Sequence, residues 1–583
     1  MRFSKLGGTV VIVIDFSSVE NTLLLSLEAR RGTHRYDLSL IDGKVPDSVI
    51  INDVWYNLFV NYQEVQKLLD STSVNKLGEI TLGQYIKIKK CAETSPCIEL
   101  EDNATIALLE HPKKEIDYLP PAMLHANLYQ YQRQGYQWMR FIVDSQCGCI
   151  LGDEMGLGKT LQVIALITEQ KQRDKGQSLV IAPVSLLENW KREIAKFTQG
   201  ISVCVHHGSA RTGMYTDLLD YDVVVISYNT ATSDQALLRM IKWNLLVVDE
   251  AQNIKNPSAI RTKSIKRIPC HTAIAVTGTP FENHMTDLWS LMDFVAPGCF
   301  GNLSDFVSEF SDDVDGARKL EPYLTPIMLR RRVSDVAQDL PPRIDVPQIL
   351  EMTQPEADAY EEQRENIIAT FDGHNATLPM LQKLRMYCTH PSLVDGVEYS
   401  DPSQCSRKYE RLCEILEEVI SIGEKTILFT SYNKMFEILD SDIPSRFGIP
   451  VMSINGSTPM ESRQQMIDSF SAVNGAALLV LNPRAAGAGL NITAASRVIH
   501  YNLEWNPSLE DQASARAYRR GQDKTVFVYR LFYKGTVEEI INDRIEKKRS
   551  MFDAAVVGTD GAVDNSEEII RALMITPGGT HDD

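Results

Sequence analysis

Two short groups of residues have the types and spacing to handle a phosphate. The stretch Leu151–Thr160, LGDEMGLGKT, closes on Gly158-Lys159-Thr160. A phosphate is held where backbone N–H groups gather at the start of a helix, whose dipole also favours negative charge. Gly156 and Gly158 allow that close approach, Lys159 can reach the terminal phosphates, and Thr160 can offer its hydroxyl to magnesium. The generic spacing G-x-x-x-x-G-K-[ST] is nevertheless not met. Asp153 stands where the first glycine belongs, and Gly152 comes one residue too early. Position 153 follows an apolar run at a strand exit, so a side chain there need not block the cradle.

The second group is Asp249-Glu250, directly after the apolar run LLVV. Magnesium prefers hard oxygen ligands, which suits Asp249 directly or through a water. Glu250 can polarise an attacking water. Taken singly, these groups also read as a chance Gly-Lys-Thr and an exposed acidic turn. Together, each at the end of an apolar run, they point to nucleotide hydrolysis.

Such residues need rigid strand ends to hold them. From about Tyr129 to Asp249 the runs CILG, LVIAPV, DVVVISY and NLLVVDE, and then TAIAVTGTP from Thr272, lack polar alternation and read as strands buried on both faces. Between them, GKTLQVIALITEQ and SLLENWKREIAKF carry apolar residues at helical spacing. The alternation predicts a parallel sheet wrapped by helices. Longer helical segments follow from about Phe281 to Arg385, broken by DLPPR. A second strand series then runs through KTILFTSY, VMSINGS, ALLVLNP and RVIHYN. The expected fold is α/β, with two parallel-sheet lobes, helical insertions, and a small strand-rich accessory domain in front.

The predicted boundaries are 1–118 for the accessory domain, 119–345 for the first lobe with a helical protrusion, 346–405 for a helical linker, 406–558 for the second lobe with a closing helix, and 559–583 for a tail with a short helix near Ile569. In the first domain VVIVIDF, TLLLSLEA, SVIIND and YIKIKKC are divided by turn-prone residues, and no chemistry is readable there.

With 583 residues and 44% hydrophobic composition, the chain can form several ordinary globular cores. No apolar stretch approaches the ~20 residues that span a bilayer, and no signal peptide is recognisable, so the expectation is a cytoplasmic protein with no membrane partner. The net charge of −18 repels nucleic acid unless a site is local. Basic clusters at RTKSIKR, LRRRV, ARAYRR and EKKR read singly as solvated faces. The ten cysteines lack metal-site spacing and read as free thiols.

The ordered motifs LYQYQRQGYQWM, LGDEMGLGKT, LVIAPVSLLENW, ISYNT, VVDEAQNIKN, TGTPFEN, LRRRVSDVAQDLPPR, QKLRMYCTHP, TILFTSYN, INGSTPMESRQQMIDSF, NPRAAGAGLNIT and EDQASARAYRRGQ resemble those of the Swi/Snf (sucrose non-fermenting) ATPases of helicase superfamily two, from about Leu128 to Gly558. The missing glycine is a trait of that family. The resemblance implies that the two parallel-sheet lobes are RecA-like and that the chain is an ATP-hydrolysing, magnesium-dependent translocase on double-stranded DNA, here of a prokaryotic type. It implies that Gln132 recognises adenine and that Asp153, Glu154, Met155, Gly156, Leu157, Gly158, Lys159 and Thr160 form the nucleotide loop. Thr160 and Asp249 would hold the metal, Glu250 the water, and Arg516 and Arg519 would act as arginine fingers from the second lobe, so that hydrolysis requires lobe closure.

The resemblance further implies coupling roles for Gln252, Thr277, Gly278, Thr279 and Gln522. It implies DNA contacts around Ser185, Ser227, Tyr228, Asn455, Gly456, Gly487, Asn491 and Trp505, for which turn formation is the plainer reading. Three departures stand out: Gln252 replaces the family's histidine, Ala515 an aspartate, and NPRAAGAG a Ser-Lys-Ala-Gly-Gly type of loop. Two other readings stay open. One is a strand-separating helicase. The other is an ATPase switch docked through its first domain on RNA polymerase or on subunits of a defence complex.

Overall fold

The computed structural model describes residues 2–4, 7–17, 20–51, 53–110, 120–278, 285–311, 314–336, 340–370, 377–395, 401–486, 492–505 and 507–554. Thr279, Gly487, Asn491 and the expected tail lie outside them. The chain divides into two compact units, one drawn from Met1–Asp153, Gly158–Ser311 and Asp315–Arg331, the other from Glu154–Leu157, Asp312–Val314 and Arg332–Asp583.

A seven-stranded sheet forms the centre of the first unit, in the order Val203–Val205, Val223–Ser227, Ser178–Ala182, Trp243–Asp249, Cys270–Val276, Cys149–Leu151, Met328–Leu329. All of its pairings are parallel. Ser178–Ala182, Val223–Ser227 and Trp243–Asp249 are buried along their whole length, as unbroken apolar runs demand when helices cover both faces.

The second unit contains a six-stranded parallel sheet in the order Arg343–Leu350, Val526–Tyr533, Arg497–His500, Lys425–Phe429, Ala477–Leu481, Val451–Ile454. Four of these strands are the ones expected from the sequence. Arg343–Leu350 falls within the segment expected to be helical and straddles the expected 345/346 boundary. It is an edge strand with half-exposed residues and Pro347 in its middle, a residue that a sheet tolerates at its edge. The compact-unit boundary itself falls at Arg331/Arg332. The expected closing helix spans Val537–Ala554.

The first 110 residues include a five-stranded sheet, built on Thr9–Ser17 and Thr22–Arg31, and a three-stranded one. YIKIKKC, grouped with the strand-like runs, lies in a helix, Leu82–Thr94. A reciprocal capping box decides this: Gln84 N–H donates to Thr81 Oγ1 at 3.1 Å and Thr81 N–H to Gln84 Oε1 at 2.9 Å. The region shares a continuous apolar core with the first parallel sheet. Lys90 at the helix end pairs with Glu309 at 2.9 Å, and Phe16 meets Phe141 edge-on at 5.9 Å. The strand-rich region expected in front of the first lobe thus packs within the first compact unit.

Candidate active site

Three neighbouring strands of the first sheet end together. Asp249 pairs with Val276 and Val276 with Leu151, so these residues form one row across the sheet. The row brings the exits of all three strands to the same carboxyl edge, where open parallel sheets place their ligands. Asp153, Thr277, Asp249 and Glu250 therefore gather there.

The loop after Leu151 leads into the helix Lys159–Gln172. Gly156 has φ +90° and Gly158 φ +70°, a left-handed backbone that favours glycine. A Cβ at Gly158 would also lie 2.5 Å from Gln132 Nε2, so the loop and the Gln132 amide are in direct contact. Gln132 is buried in the first turn of the helix Gln130–Asp144, and its Oε1 accepts from Tyr129 N–H at 3.1 Å. Lys159 Nζ donates to the Asp153 carbonyl at 2.8 Å. Asp153 is fully buried, its carboxylate held by Arg331 and Gln162. The side chain that departs from the generic spacing is thus taken up by Arg331 and Gln162.

Asp249 terminates its strand with both oxygens engaged. Oδ2 accepts from Trp190 Nε1 at 2.8 Å and Oδ1 from Glu250 N–H at 2.9 Å. Burial, reinforced by the adjacent Glu250 carboxylate, weakens its acidity, raising its pKa to about 7 against the pull of the Trp190 N–H and Lys159. Glu250 adopts φ +52°. A non-glycine residue in that region stores local strain, which recurs at functional sites. Gln252 Nε2 donates to Glu250 Oε2 at 2.8 Å, and its Oε1 accepts from Thr277 Oγ1 at 2.9 Å. Gly278 follows at the same edge. The amide that replaces the family's histidine therefore joins Glu250 to Thr277.

Other expected site residues sit elsewhere. Ser227 and Tyr228 are buried: the Ser227 hydroxyl caps a short helix by accepting from Thr230 N–H at 3.1 Å, and the Tyr228 hydroxyl donates to the Asp249 and Glu250 carbonyls. Ser185 is half-buried in a short turn of helix, Val184–Leu186.

In the second unit, Arg516 and Arg519 are half-buried on the turn after the helix Pro507–Ser514. Gln522 shapes that turn through bonds from Nε2 to the carbonyls of Ala495 at 2.8 Å and Ala517 at 3.2 Å. Asn455 Oδ1 closes a turn through Ser457 N–H at 3.0 Å, with Gly456 exposed at its tip. Trp505 is half-buried, with Arg544 of the closing helix 5.2 Å over its ring. Arg331, Gln162 and Trp190 escaped the sequence reading. Arg331 falls in LRRRV, a cluster that by sequence reads as a solvated face, and no local spacing marks any of the three.

A SNF2-related domain matches residues 131–393 and a helicase conserved C-terminal domain residues 407–521. YwqA of Bacillus subtilis, named as an ATP-dependent helicase/translocase, is 34% identical over 77% of this chain and 50% of its own length. The Zorya protein ZorD of Escherichia coli O139:H28 is 30% identical over 87% of this chain and 51% of its own. The chain thus spans about half the length of these curated relatives. The SWI2/SNF2 ATPase core of Sulfolobus solfataricus, solved in complex with dsDNA, is 34% identical over 79% of this chain and 100% of that one, with a TM-score of 0.41. On its matched domains and its identity to YwqA and ZorD, the chain belongs to the Swi/Snf family of helicase-like ATPases.

Proposed function

We propose that the chain hydrolyses ATP at the carboxyl edge of its first sheet and uses the cycle to move along double-stranded DNA. The observation that carries the first part is the strand row Leu151–Val276–Asp249, which assembles the phosphate loop, Thr277 and the Asp249-Glu250 pair on one edge. In this reading Gly156, Gly158 and Lys159 hold the phosphates, Gln132 the base, and Glu250 orients and deprotonates the attacking water.

Magnesium fits this residue set. The ion keeps several waters and takes one or two protein oxygens beside those of phosphate. Asp249 and the Thr160 hydroxyl supply that number, and Asp249 is fixed by two N–H donors that leave lone pairs on each oxygen. When bound, the metal would neutralise developing phosphoryl charge.

Arg516 and Arg519 would supply permanent planar charge to the transferred phosphoryl group. Because they belong to the second unit, each turnover would require the units to close and reopen, which converts hydrolysis into stepping. Family membership and the helicase/translocase name of YwqA support movement on DNA. Contacts to phosphates would make that movement insensitive to sequence. A prokaryotic role in genome defence or maintenance is consistent with the bacterial relatives. The test is DNA-stimulated ATP turnover followed by displacement of a triplex-forming strand, which reports translocation without strand separation.

A further inference from the structure

Two features of the sequence belong to one device. Asp153 occupies the generic glycine position of the phosphate loop, and Arg331 lies in the cluster LRRRV near the end of the first unit. They are 178 residues apart in the chain, yet Arg331 Nε donates to Asp153 Oδ1 at 2.9 Å and Nη2 donates to Oδ2, a two-pronged pair. Gln162 completes it, donating to Asp153 Oδ2 at 3.1 Å and accepting from Arg331 Nη2 at 2.9 Å. Asp153 is fully buried, and a carboxylate out of water persists only when its oxygens are matched in this way.

The neighbouring helix is shaped around the pair. A Cβ at Gly135 would fall 1.9 Å from Gln162 Oε1 and 2.7 Å from Arg331 Nη2, so a larger residue there would displace both side chains from the pair. Arg331 Nη1 also donates to the Tyr131 carbonyl, one residue before Gln132. The same Asp153 that is clamped through its side chain accepts from Lys159 Nζ through its carbonyl at 2.8 Å.

We infer that the Asp153–Arg331 clamp is a positioning device for Lys159, fixing the carbonyl that holds its ammonium group in place to meet a nucleotide's terminal phosphates. The inference rests on the reading of this loop as the nucleotide site. It gives Asp153 a task that the generic glycine cannot perform. A phosphate loop that merely tolerates a side chain at position 153 would instead accept glycine without loss.

The test uses the whole chain and a fluorescent ADP analogue with magnesium. Dissociation constants, and the kcat and KM of ATP hydrolysis, are measured for the wild type, Asp153→Gly, Asp153→Asn and Arg331→Lys, with thermal melting as the check on folding. Asp153→Gly, which writes the generic spacing, is expected to weaken nucleotide binding and raise KM about tenfold, the scale of one charge-assisted hydrogen bond. If that variant fails to fold, Asp153→Asn decides, since it keeps the side chain's volume and loses its charge. The same Asp153→Asn change is then made in a Lys159→Ala background. Acting through Lys159, it should there have no further effect on affinity, whereas a merely structural role leaves the two losses additive. Folded Asp153→Gly or Asp153→Asn protein that binds nucleotide within twofold of wild type overturns the clamp's role, as does additivity. Wild-type protein that binds no nucleotide overturns the loop reading itself, and the clamp with it.

Discussion

Gln252 donates its side-chain amide to Glu250 Oε2 at 2.8 Å. The other end of the same amide accepts from Thr277, so the Glu250 carboxylate, proposed above to activate the water, and the end of the next strand share one connector. The family's histidine has a donor and an acceptor nitrogen in its neutral form and can make the same pair of bonds. The departure seen in the sequence therefore keeps the connection while removing a titratable group.

Replacing Gln252 by alanine should lower kcat about tenfold, the scale of a lost hydrogen bond to a charged group, with nucleotide affinity near wild type. Gln252→His should recover most of the turnover. Steady-state kinetics with a parallel nucleotide titration separates the two parameters. Equal kcat in the alanine variant would show that the connector is idle.

Trp190 fixes Asp249 through an indole N–H inside the core. Trp190→Phe retains the ring and deletes the donor. A hydrogen bond to an ionised group contributes about 1.5–3 kcal/mol, so turnover should fall by about tenfold or more. The magnesium concentration for half-maximal activity should rise with it. A magnesium titration of ATPase activity reads both effects.

Lys159→Ala should weaken nucleotide binding, and Glu250→Gln should abolish turnover by about a hundredfold or more while nucleotide and DNA still bind. Filter binding beside an ATPase assay distinguishes the two phenotypes. Normal turnover in either variant contradicts the site.

Lys408 and Glu538 form a buried ion pair in the second unit, with Nζ 2.6 Å from Oε1. Burial pushes the Glu538 carboxyl upward while Lys408 pulls it down. Lys408→Met leaves the carboxylate without its cation, which typically costs about 3–5 kcal/mol. A urea melt should show a lower midpoint, and the double change Lys408→Met with Glu538→Leu should recover part of the loss. This pair joins the helix Arg407–Ser421 to the closing helix Val537–Ala554, so the melt also tests how that helix is anchored.

Much of the fold was legible because strands buried on both faces carry unbroken runs such as VVVIS and WNLLVVD. Arg343–Leu350 was not, since an edge strand has a wet side and its polar alternation and Pro347 conceal it. YIKIKKC shows the opposite failure: its alternation suggests a strand, and a capping box placed earlier in the chain decides for helix. At the site, Lys159, Asp249 and Glu250 announce themselves by local spacing. Arg331 and Trp190 act across 178 and 59 residues, and only the fold makes them neighbours of Asp153 and Asp249.

The most direct measurement is steady-state ATP hydrolysis by the whole chain and by Glu250→Gln, titrated with duplex DNA, single-stranded DNA and RNA at several salt concentrations. A DNA-driven motor predicts turnover strongly stimulated by duplex DNA, stimulation that weakens as salt rises, and none in the variant. Glu250-dependent turnover that no nucleic acid changes would contradict translocation and direct attention to a protein partner docked on the first 110 residues.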